Sequence, residues 1–392
     1  MTEIFIAGAK RTAIGSFQGQ FDGVPATRLG STAIRAALDH AGLSPEAVDE
    51  VLMGCVLPAN LGQAPARQAA LEAGIPRSAG CTTVNKVCGS GMKAIMLAHD
   101  GIRAGSFGVA VAGGMESMTN APHMLPGARG GYRMGNAQVV DHMMWDGLTN
   151  PYDNQPMGVF GEMCVNQFAM TREDQDAFAA ESVRRAMAAI ESGAFRDEIA
   201  PVTVATRKGE VVVDTDEEPA RCDIGRIPGL RPAFKRDGGT ITAASSSKIS
   251  DGAAALVVLG AEAASRHGIR PLARIVAHAT HAQAPEWFTT APVFAIQKVL
   301  EKAGWGKHDV DLYEINEAFA CVAMAPIREL GLDPARVNVN GGACALGHPI
   351  GASGARIVVT LIHALRARGG KRGVASLCIG GGEATAIAIE ML

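Results

Sequence analysis

The stretch AIRAALDHAG at residues 33–42 returns as AIQKVLEKAG at residues 295–304. Both copies place apolar residues at helical spacing and end on a glycine, a residue that commonly stops a helix. Each copy continues without a gap through Val-Asp into a strand-like run, VLMG at 51–54 and LYEIN at 312–316. The repeat therefore predicts that one helix–strand unit occurs twice in the chain.

The correspondence extends downstream in the same order. CGSG at 88–91 and GASG at 351–354 each open a helical run, and VAVAGGME at 109–116 matches the strand-like VASLCIGGGE at 374–383. Three matched segments in one order favour an internal duplication over chance similarity between βα units. Strand and helix patterns alternate in both halves, which is typical of an α/β protein built around mostly parallel sheets.

The middle of the chain, residues 121–250, interrupts this repeat. It carries glycine-rich turns and a helix predicted from about 172 to 192, with Thr171 as N-cap, Asp174 three residues on and Gly193 as the stop. We interpret the segment as an insertion that covers one face of the duplicated core. Such insertions often form lids or the walls of substrate sites.

Composition narrows the possible functions. Of 392 residues, 47% are hydrophobic, so a large core can form, and the net charge of −3 argues against a dedicated nucleic-acid binder. The chain shows neither a secretory signal nor an apolar run long enough to span a membrane. Without CxxC spacing, the cysteines predict neither a zinc site nor a disulfide framework, and they favour a reducing, cytoplasmic location. They are Cys55, Cys81, Cys88, Cys164, Cys222, Cys321, Cys344 and Cys378.

Cys88 is the strongest candidate for chemistry. It lies in VNKVCGSGMKA, residues 84–94, where a short strand-like run meets a helical run. We expect the thiol to project over the end of a sheet, with its thiolate stabilised by the amides that begin the following helix. The small residues after it allow a thin substrate to approach, so Cys88 is a candidate nucleophile.

Two further segments contain reactive groups in glycine-rich frames. His348 lies between Gly347 and Pro349 just before the repeat-equivalent helix, which predicts an imidazole on a rigid loop. Cys378 ends a strand-like run and precedes three glycines, whose amides could point at a developing oxyanion. We expect the remaining cysteines, Cys344 included, to serve in packing.

At these residues the chain resembles the thiolase family from end to end. The four catalytic loops of that family are similar to CGS at 88–90, NEAF at 316–319, GHP at 347–349 and CIG at 378–380. The resemblance implies the thiolase fold, an α/β fold in which duplicated βαβαβαββ halves form a five-layered αβαβα core. It also implies a homotetramer, a dimer of tight dimers.

The resemblance further implies a division into domains. Residues 1–120 with 251–270 would form the N-terminal half, and residues 271–392 the C-terminal half. Residues 121–250 would be an inserted loop domain that binds CoA and makes the tetramer contacts.

The implied reaction is a reversible Claisen condensation of two acetyl-CoA to acetoacetyl-CoA and CoA, or thiolysis of a 3-ketoacyl-CoA. Cys88 would carry the acetyl group, His348 would take its proton, and Cys378 would remove the α-proton of the second acetyl-CoA. His348 with a water held by Asn316 would bind one thioester oxygen, and the N–H groups of Cys88 and Gly380 the other. No cofactor and no metal are implied, because CoA thioesters are the substrates.

By the same resemblance, a channel for the pantetheine arm is lined by Leu148, Met157, Ala243, Ser247, Ala318 and Phe319, and Arg221 approaches the nucleotide phosphates. Two departures lie on this wall. Members that act on acetoacetyl-CoA often have a histidine before the Met-Gly, where this chain has Gln155-Pro156. The usual Gly-Asn-Ala-Ser is Ala-Ser-Ser-Ser at 244–247. The preferred acyl length is therefore left open.

Three alternatives remain at this point. One is a degradative thiolase for longer 3-ketoacyl-CoA. Another is a decarboxylating ketoacyl synthase, but such enzymes usually pair their cysteine with two histidines, or with a histidine and an asparagine, and Cys378 argues against it. The third is a thiolase-like binding protein without catalysis, which would be expected to have lost catalytic positions.

Overall fold

The computed structural model describes residues 2–392. The first part of the chain alternates strands and helices, and the helix predicted at 33–42 ends at Gly42 with φ 64°. Its elements are β1 (Ile4–Thr12), β2 (Gly15–Ser16), α1 (Ala26–Ala41), β3 (Glu50–Gly54), α2 (Pro65–Glu72), β4 (Gly80–Val84), α3 (Ser90–Arg103) and β5 (Val109–Ser117).

The middle of the chain has short strands and two longer helices. Its second helix begins at a capping box in which Thr171 and Asp174 bond each other's backbone N–H, and it ends at Gly193, as predicted. The elements are β6 (His123–Met124), β7 (Val140–Asp141), a π-helical turn (Met143–Leu148), α4 (Met157–Gln167), α5 (Arg172–Ser192), β8 (Ile199–Ala200), β9 (Val202–Thr206), β10 (Gly209–Val213) and α6 (Glu218–Arg221).

The last part of the chain returns to the alternating pattern. The helix of the second repeat ends at Gly304 with φ 68°, matching the end of α1. The elements are β11 (Ser250–Gly260), α7 (Ala261–Arg266), β12 (Ala273–Ala282), α8 (Ala291–Ala303), β13 (Leu312–Ile315), α9 (Ala320–Leu330), α10 (Ala343–Leu346), α11 (Ser353–Arg368), β14 (Arg372–Ile379) and β15 (Glu383–Met391).

The main strands form two similar sheets. In the first, the order is β4-β3-β5-β11-β1, with β3, β4 and β5 parallel and β11 antiparallel to both neighbours. In the second, the order is β13-β14-β15-β12, with β13 and β14 parallel and β15 antiparallel to both neighbours. The two sheets join through β1 and β12, which pair only at Phe5–Arg274 and Ile6–Ala273.

Alternating residues of these strands face opposite layers, because successive side chains of a strand point to opposite faces. In β11, Val257 and Leu259 pack with α1, while Leu256 and Val258 pack with α3 and α11. In β15, the alanines face α8, while Ile387 and Ile389 face α3 and α11. The order of layers is therefore helix, sheet, helix, sheet, helix, and the predicted five-layered α/β core is confirmed. The prediction of mostly parallel sheets is wrong, because β11 and β15 each run antiparallel to both neighbours.

Helices α3 and α11 form the central layer and approach each other closely at their first turns. A Cβ at Gly91 would lie 2.8 Å from the backbone N of Ala355, and a Cβ at Gly354 would collide with the backbone of Met92. Glycine is thus required at both positions. This contact brings together the two loops that precede the helices, which are those of Cys88 and His348.

A buried ion-pair group fixes the middle segment to the first sheet. The guanidinium of Arg11 on β1 makes a bidentate pair with Asp216, at 2.7 and 2.9 Å, and also contacts Glu198 at 2.5 Å. All three side chains are fully buried. Within residues 2–392, every helix is too short or too polar to cross a membrane.

Candidate active site

Cys88 lies in a strained turn between β4 and α3. Val87 has φ 45°, an unusual conformation for a β-branched residue. The hydroxyl of Ser90 holds the turn, since its Oγ accepts the N–H of Lys86 at 2.8 Å and donates to the carbonyl of Val87 at 2.6 Å. Strain of this kind is characteristic of sites that must present a group in a fixed direction.

The expected stabilisation of a resting Cys88 thiolate by α3 is wrong. Burial raises the pKa of the Cys88 thiol to about 11, and hydrogen bonds from the backbone N–H groups of Gly380 and Cys88 only partly oppose this. The first amides of the helix region are occupied, because Gly89 and Ser90 donate to the carbonyls of Lys86 and Val87. The thiol is therefore protonated at neutral pH until a base removes its proton.

His348 has the geometry of such a base. Its Nδ1 lies 2.6 Å from Ser353 Oγ, and that hydroxyl donates its single hydrogen to the carbonyl of Pro349 at 2.9 Å. Nδ1 must therefore carry the hydrogen of the ring, which leaves a lone pair on Nε2. In the described chain Nε2 is buried and has no hydrogen-bond partner. Burial, followed by the charge of Arg356, lowers the pKa of His348 to about 3, so the ring is neutral.

Cys378 comes from the other sheet, at the end of β14. Burial, and then the charge of Cys88, raises its pKa well above the usual value for a thiol. Its loop meets the Cys88 loop, because a Cβ at Gly89 would collide with the side chain of Ile379. The Gly380 N–H, two residues after Cys378, bonds to the Cys88 sulfur. The structure thus brings Cys88, Cys378 and Gly380 together.

Asn316 follows β13 and is fully buried. Neither its Oδ1 nor its Nδ2 has a protein partner among residues 2–392, although its backbone N–H donates to Ser376 at 3.0 Å. The next residue, Glu317, anchors the loop by accepting the hydroxyl of Ser182 at 2.7 Å and the side-chain amide of Asn338 at 2.8 Å. A rigid loop therefore holds an unpaired amide that can bind a water or a polar substrate atom.

Two cavities open at this cluster and share Met157. The first, of about 220 Å³, is lined mainly by apolar side chains and includes His348, Leu148, Ser247, Phe319 and Lys248. The second, of about 320 Å³, is lined by Val87, Gly380 and Gly381 with residues of the segment 145–154. Cys88 and Leu148 both pack against the apolar cluster that contains Ile350, and Leu148 and Ile350 line the first cavity.

The residues expected to contact CoA divide into two groups. Leu148, Met157, Ser247 and Phe319 line the first cavity. Ala318 is buried beside them, and its carbonyl accepts the N–H of Ser247 at 3.0 Å. Ala243 is exposed, with its carbonyl bonded by Lys248. Arg221 is also exposed, pairs with Glu217 at 3.2 Å, and lies outside the linings of both cavities.

Two residues that support the site were not identified from the sequence. Ser353 fixes the ring of His348, and only its place in the repeat, equivalent to Ser90, could have indicated this. Glu116 is fully buried and accepts the N–H groups of Val56 and Gly351 at 2.9 and 2.8 Å, tying the His348 loop to the first sheet. Burial raises the pKa of Glu116 to about 7.

Comparison with known proteins agrees with this geometry. The thiolase N-terminal domain family matches residues 4–262 and the thiolase C-terminal domain family residues 269–391. Acetyl-CoA acetyltransferase 1 of Arabidopsis thaliana is 53% identical over 100% of this chain and 94% of its own length. Acetyl-CoA acetyltransferase of Pseudomonas aeruginosa is 50% identical over 99% of both chains.

A solved structure gives the same result. The Acat5 thiolase of Ascaris suum, in complex with coenzyme A, superposes with a TM-score of 0.94 at 44% identity, and each chain is covered completely. The thiolase fold expected from the sequence is therefore confirmed. On its sequence matches and its structure, this chain belongs to the thiolase family.

Proposed function

We propose that this protein is an acetyl-CoA acetyltransferase, which condenses two acetyl-CoA reversibly to acetoacetyl-CoA and free CoA. The observation that carries the proposal is the buried imidazole of His348, whose Nδ1 hydrogen is held by Ser353 and whose Nε2 is unpaired in the described chain. This base lies in the wall of the first cavity. Its loop and the Cys88 loop precede two helices whose first turns are in contact. The names of the full-length relatives support the same reaction.

In the first half-reaction, His348 Nε2 accepts the proton of Cys88, and the sulfur attacks the carbonyl carbon of acetyl-CoA. The C–S bond to CoA then breaks, and the departing CoA thiolate takes the proton from His348. The protein is left acetylated on Cys88. Backbone N–H groups of Cys88 and Gly380, which already point at the Cys88 sulfur, stabilise the negative oxygen of the intermediate.

In the second half-reaction, Cys378 gives its proton to the neutral His348, and the resulting thiolate removes a proton from the methyl group of a second acetyl-CoA. The carbanion attacks the acetyl carbon on Cys88, a C–C bond forms, and the departing Cys88 thiolate takes the proton back from His348. Burial raises the pKa of Cys378, which makes its thiolate a stronger base for a carbon acid. Asn316, through a bound water, and His348 stabilise the enolate oxygen of the second thioester.

The first cavity suits the pantetheine arm of CoA. It is narrow and apolar, and it carries the hydroxyl and backbone groups of Ser247 for an amide of that arm. Leu148, Met157, Ala243, Ala318 and Phe319 form the rest of the proposed channel. Arg221, exposed at the protein surface, is proposed only as a contact for the nucleotide phosphates.

A substrate series tests the function. We expect thiolysis of acetoacetyl-CoA to exceed that of 3-ketohexanoyl-CoA and 3-ketooctanoyl-CoA in kcat/KM, and we expect condensation of acetyl-CoA without any malonyl thioester. A preference for the longer substrates would indicate a degradative thiolase instead. A requirement for malonyl thioesters would indicate a decarboxylating synthase, and the absence of any turnover would indicate a binding protein.

We further propose a homotetramer, no cofactor beyond the CoA substrates, a role in lipid metabolism and a cytoplasmic location. The segment 125–139 supports the assembly, because it exposes Leu125, Tyr132 and Val139, and Met134 is 99% exposed. All eight cysteines of the described chain are free, which supports a reducing compartment. Mass photometry of the purified protein tests the tetramer.

A further inference from the structure

Three side chains that the proposed reaction does not use meet at the junction of the two halves. His99 and Asp100 are near the end of α3, and His278 comes from β12. His99 Nδ1 and His278 Nε2 each lie 2.9 Å from the same oxygen, Asp100 Oδ1, and 3.2 Å from each other. His99 is buried, His278 is half-buried and Asp100 reaches solvent.

Hydrogen bonds alone cannot pair all three of these polar atoms well. If both rings carry hydrogens toward Asp100, two N–H donors face each other across 3.2 Å. If only one does, the lone pair of the other ring faces a carboxylate oxygen at 2.9 Å. A cation bound to all three atoms removes both conflicts, because each atom then directs a lone pair at one positive centre.

The dimensions suit a small tetrahedral ion. Zinc binds imidazole nitrogen and carboxylate oxygen at about 2.0–2.1 Å, which separates neighbouring ligand atoms by about 3.3 Å. The observed separations of 2.9, 2.9 and 3.2 Å are close to that edge length. Because Asp100 is exposed, water can reach an ion held by the three atoms and serve as its fourth ligand.

The charges of the three residues also suit a cation. Two imidazole nitrogens and one carboxylate oxygen are ligands that Zn²⁺ commonly binds. Lys302 donates to the carbonyl of His278 at 3.0 Å, and its positive charge opposes binding of a cation.

We propose that His99, Asp100 and His278 form a Zn²⁺ site that links the helix following Cys88 to the second sheet. The site is independent of the proposed reaction and serves the stability of the contact between the halves. The sequence could not reveal this site, because Asp100 and His278 are 178 residues apart and the three ligands show no metal-binding spacing. The sequence predicted no metal site in this chain, and the proposal departs from that prediction.

The test is metal titration of the full-length protein after removal of metals with a chelator. We expect one Zn²⁺ per chain with micromolar or tighter affinity, and a rise in melting temperature on binding. Substitutions His278→Gln and Asp100→Asn should each weaken binding by about tenfold or more. The matched control is His281→Gln, on the same strand but outside the triangle, which should bind like the parent protein.

Co²⁺ in place of Zn²⁺ identifies the ligands. We expect the visible absorption bands of a tetrahedral cobalt site and no thiolate charge-transfer band. The spectrum of Cys88→Ala protein should be the same. No stoichiometric binding by the parent, equal binding by His278→Gln and Asp100→Asn proteins, or a thiolate band would each overturn the proposal. Because Asp100 is exposed, Asp100→Asn protein should fold even if His278→Gln protein does not.

Discussion

The loops before α3 and α11 occupy equivalent places in the two halves, and each is followed by a serine in the first helical turn. Ser90 accepts a backbone N–H, that of Lys86, while Ser353 accepts the Nδ1 hydrogen of His348. Both serines return their own hydrogen to a carbonyl upstream. The same hydroxyl therefore fixes a strained backbone in the first half and orients an imidazole in the second.

The two loops also differ in how burial acts on their reactive groups. It raises the pKa of the Cys88 thiol to about 11 and lowers the pKa of His348 to about 3. Both groups are thus neutral at rest, and neither can be ionised alone at low cost. Catalysis by Cys88 and His348 therefore depends on proton transfer from one half to the other at the moment of reaction.

Replacing the imidazole of His348 should have the largest effect on kcat. We expect His348→Asn to lower kcat by about 10²–10⁴-fold, because the base for Cys88 is lost. Steady-state thiolysis of acetoacetyl-CoA measures it, with His267→Asn, an exposed histidine, as the control. A near-parental kcat in His348→Asn protein would remove His348 from the proposed mechanism.

Removing the hydroxyl that orients the imidazole should have the next largest effect. We expect Ser353→Ala to lower kcat by about 10–100-fold with little change in KM, because the Nδ1 hydrogen loses its acceptor. Ser353→Thr, which keeps a hydroxyl, should recover much of the rate. Equal losses in both variants would mean that Ser353 serves packing and does not position His348.

Removing the equivalent hydroxyl in the first half should affect stability more than catalysis. We expect Ser90→Ala to lower the free energy of unfolding by about 1 kcal/mol, because the partly buried N–H of Lys86 is left unpaired. Chemical denaturation measures this, with exposed Ser106→Ala as the control. If Ser90→Ala reduced kcat as strongly as Ser353→Ala, the contrast between the two loops would be wrong.

The pH dependence of stability should show the smallest effect. The folded pKa of His348, about 3, lies below the value of about 6.5 for an unfolded histidine, so the unfolded chain binds a proton that the folded chain does not. Stability from this residue is therefore present above pH 6.5 and is lost as pH falls, by about 1 kcal/mol at about pH 5.5. Thermal unfolding at fixed protein concentration should show this loss in the parent and not in His348→Asn protein.

The sequence predicted the elements whose signals are local or repeated. Gly42 and Gly304 ended the repeated helices, and Thr171 with Asp174 formed the predicted cap. The residues of the two reactive loops were also found from sequence, because glycine frames mark tight turns. Their grouping followed from the duplication, which places equivalent loops at the contact of two central helices.

The sequence could not predict properties that arise from burial and distant contacts. The protonation of Cys88 depends on the cost of enclosing a charge, which outweighs the nearby amides. The buried pairing of Arg11 with Asp216 joins residues 205 positions apart. The triangle of His99, Asp100 and His278 exists only because α3 lies beside β12. Local sequence patterns contain no information on such contacts between residues that are distant in the chain.

The central claim is that a thiol from each half performs one half-reaction beside a shared imidazole. Intact-protein and peptide mass spectrometry after treatment with acetyl-CoA tests it most directly. The account predicts an acetyl group on Cys88 in the parent and in Cys378→Ala protein, no acetyl group on Cys88→Ala protein, and no acetoacetyl-CoA from either variant. An acetyl group on Cys88→Ala protein, or normal condensation by Cys378→Ala protein, would contradict it.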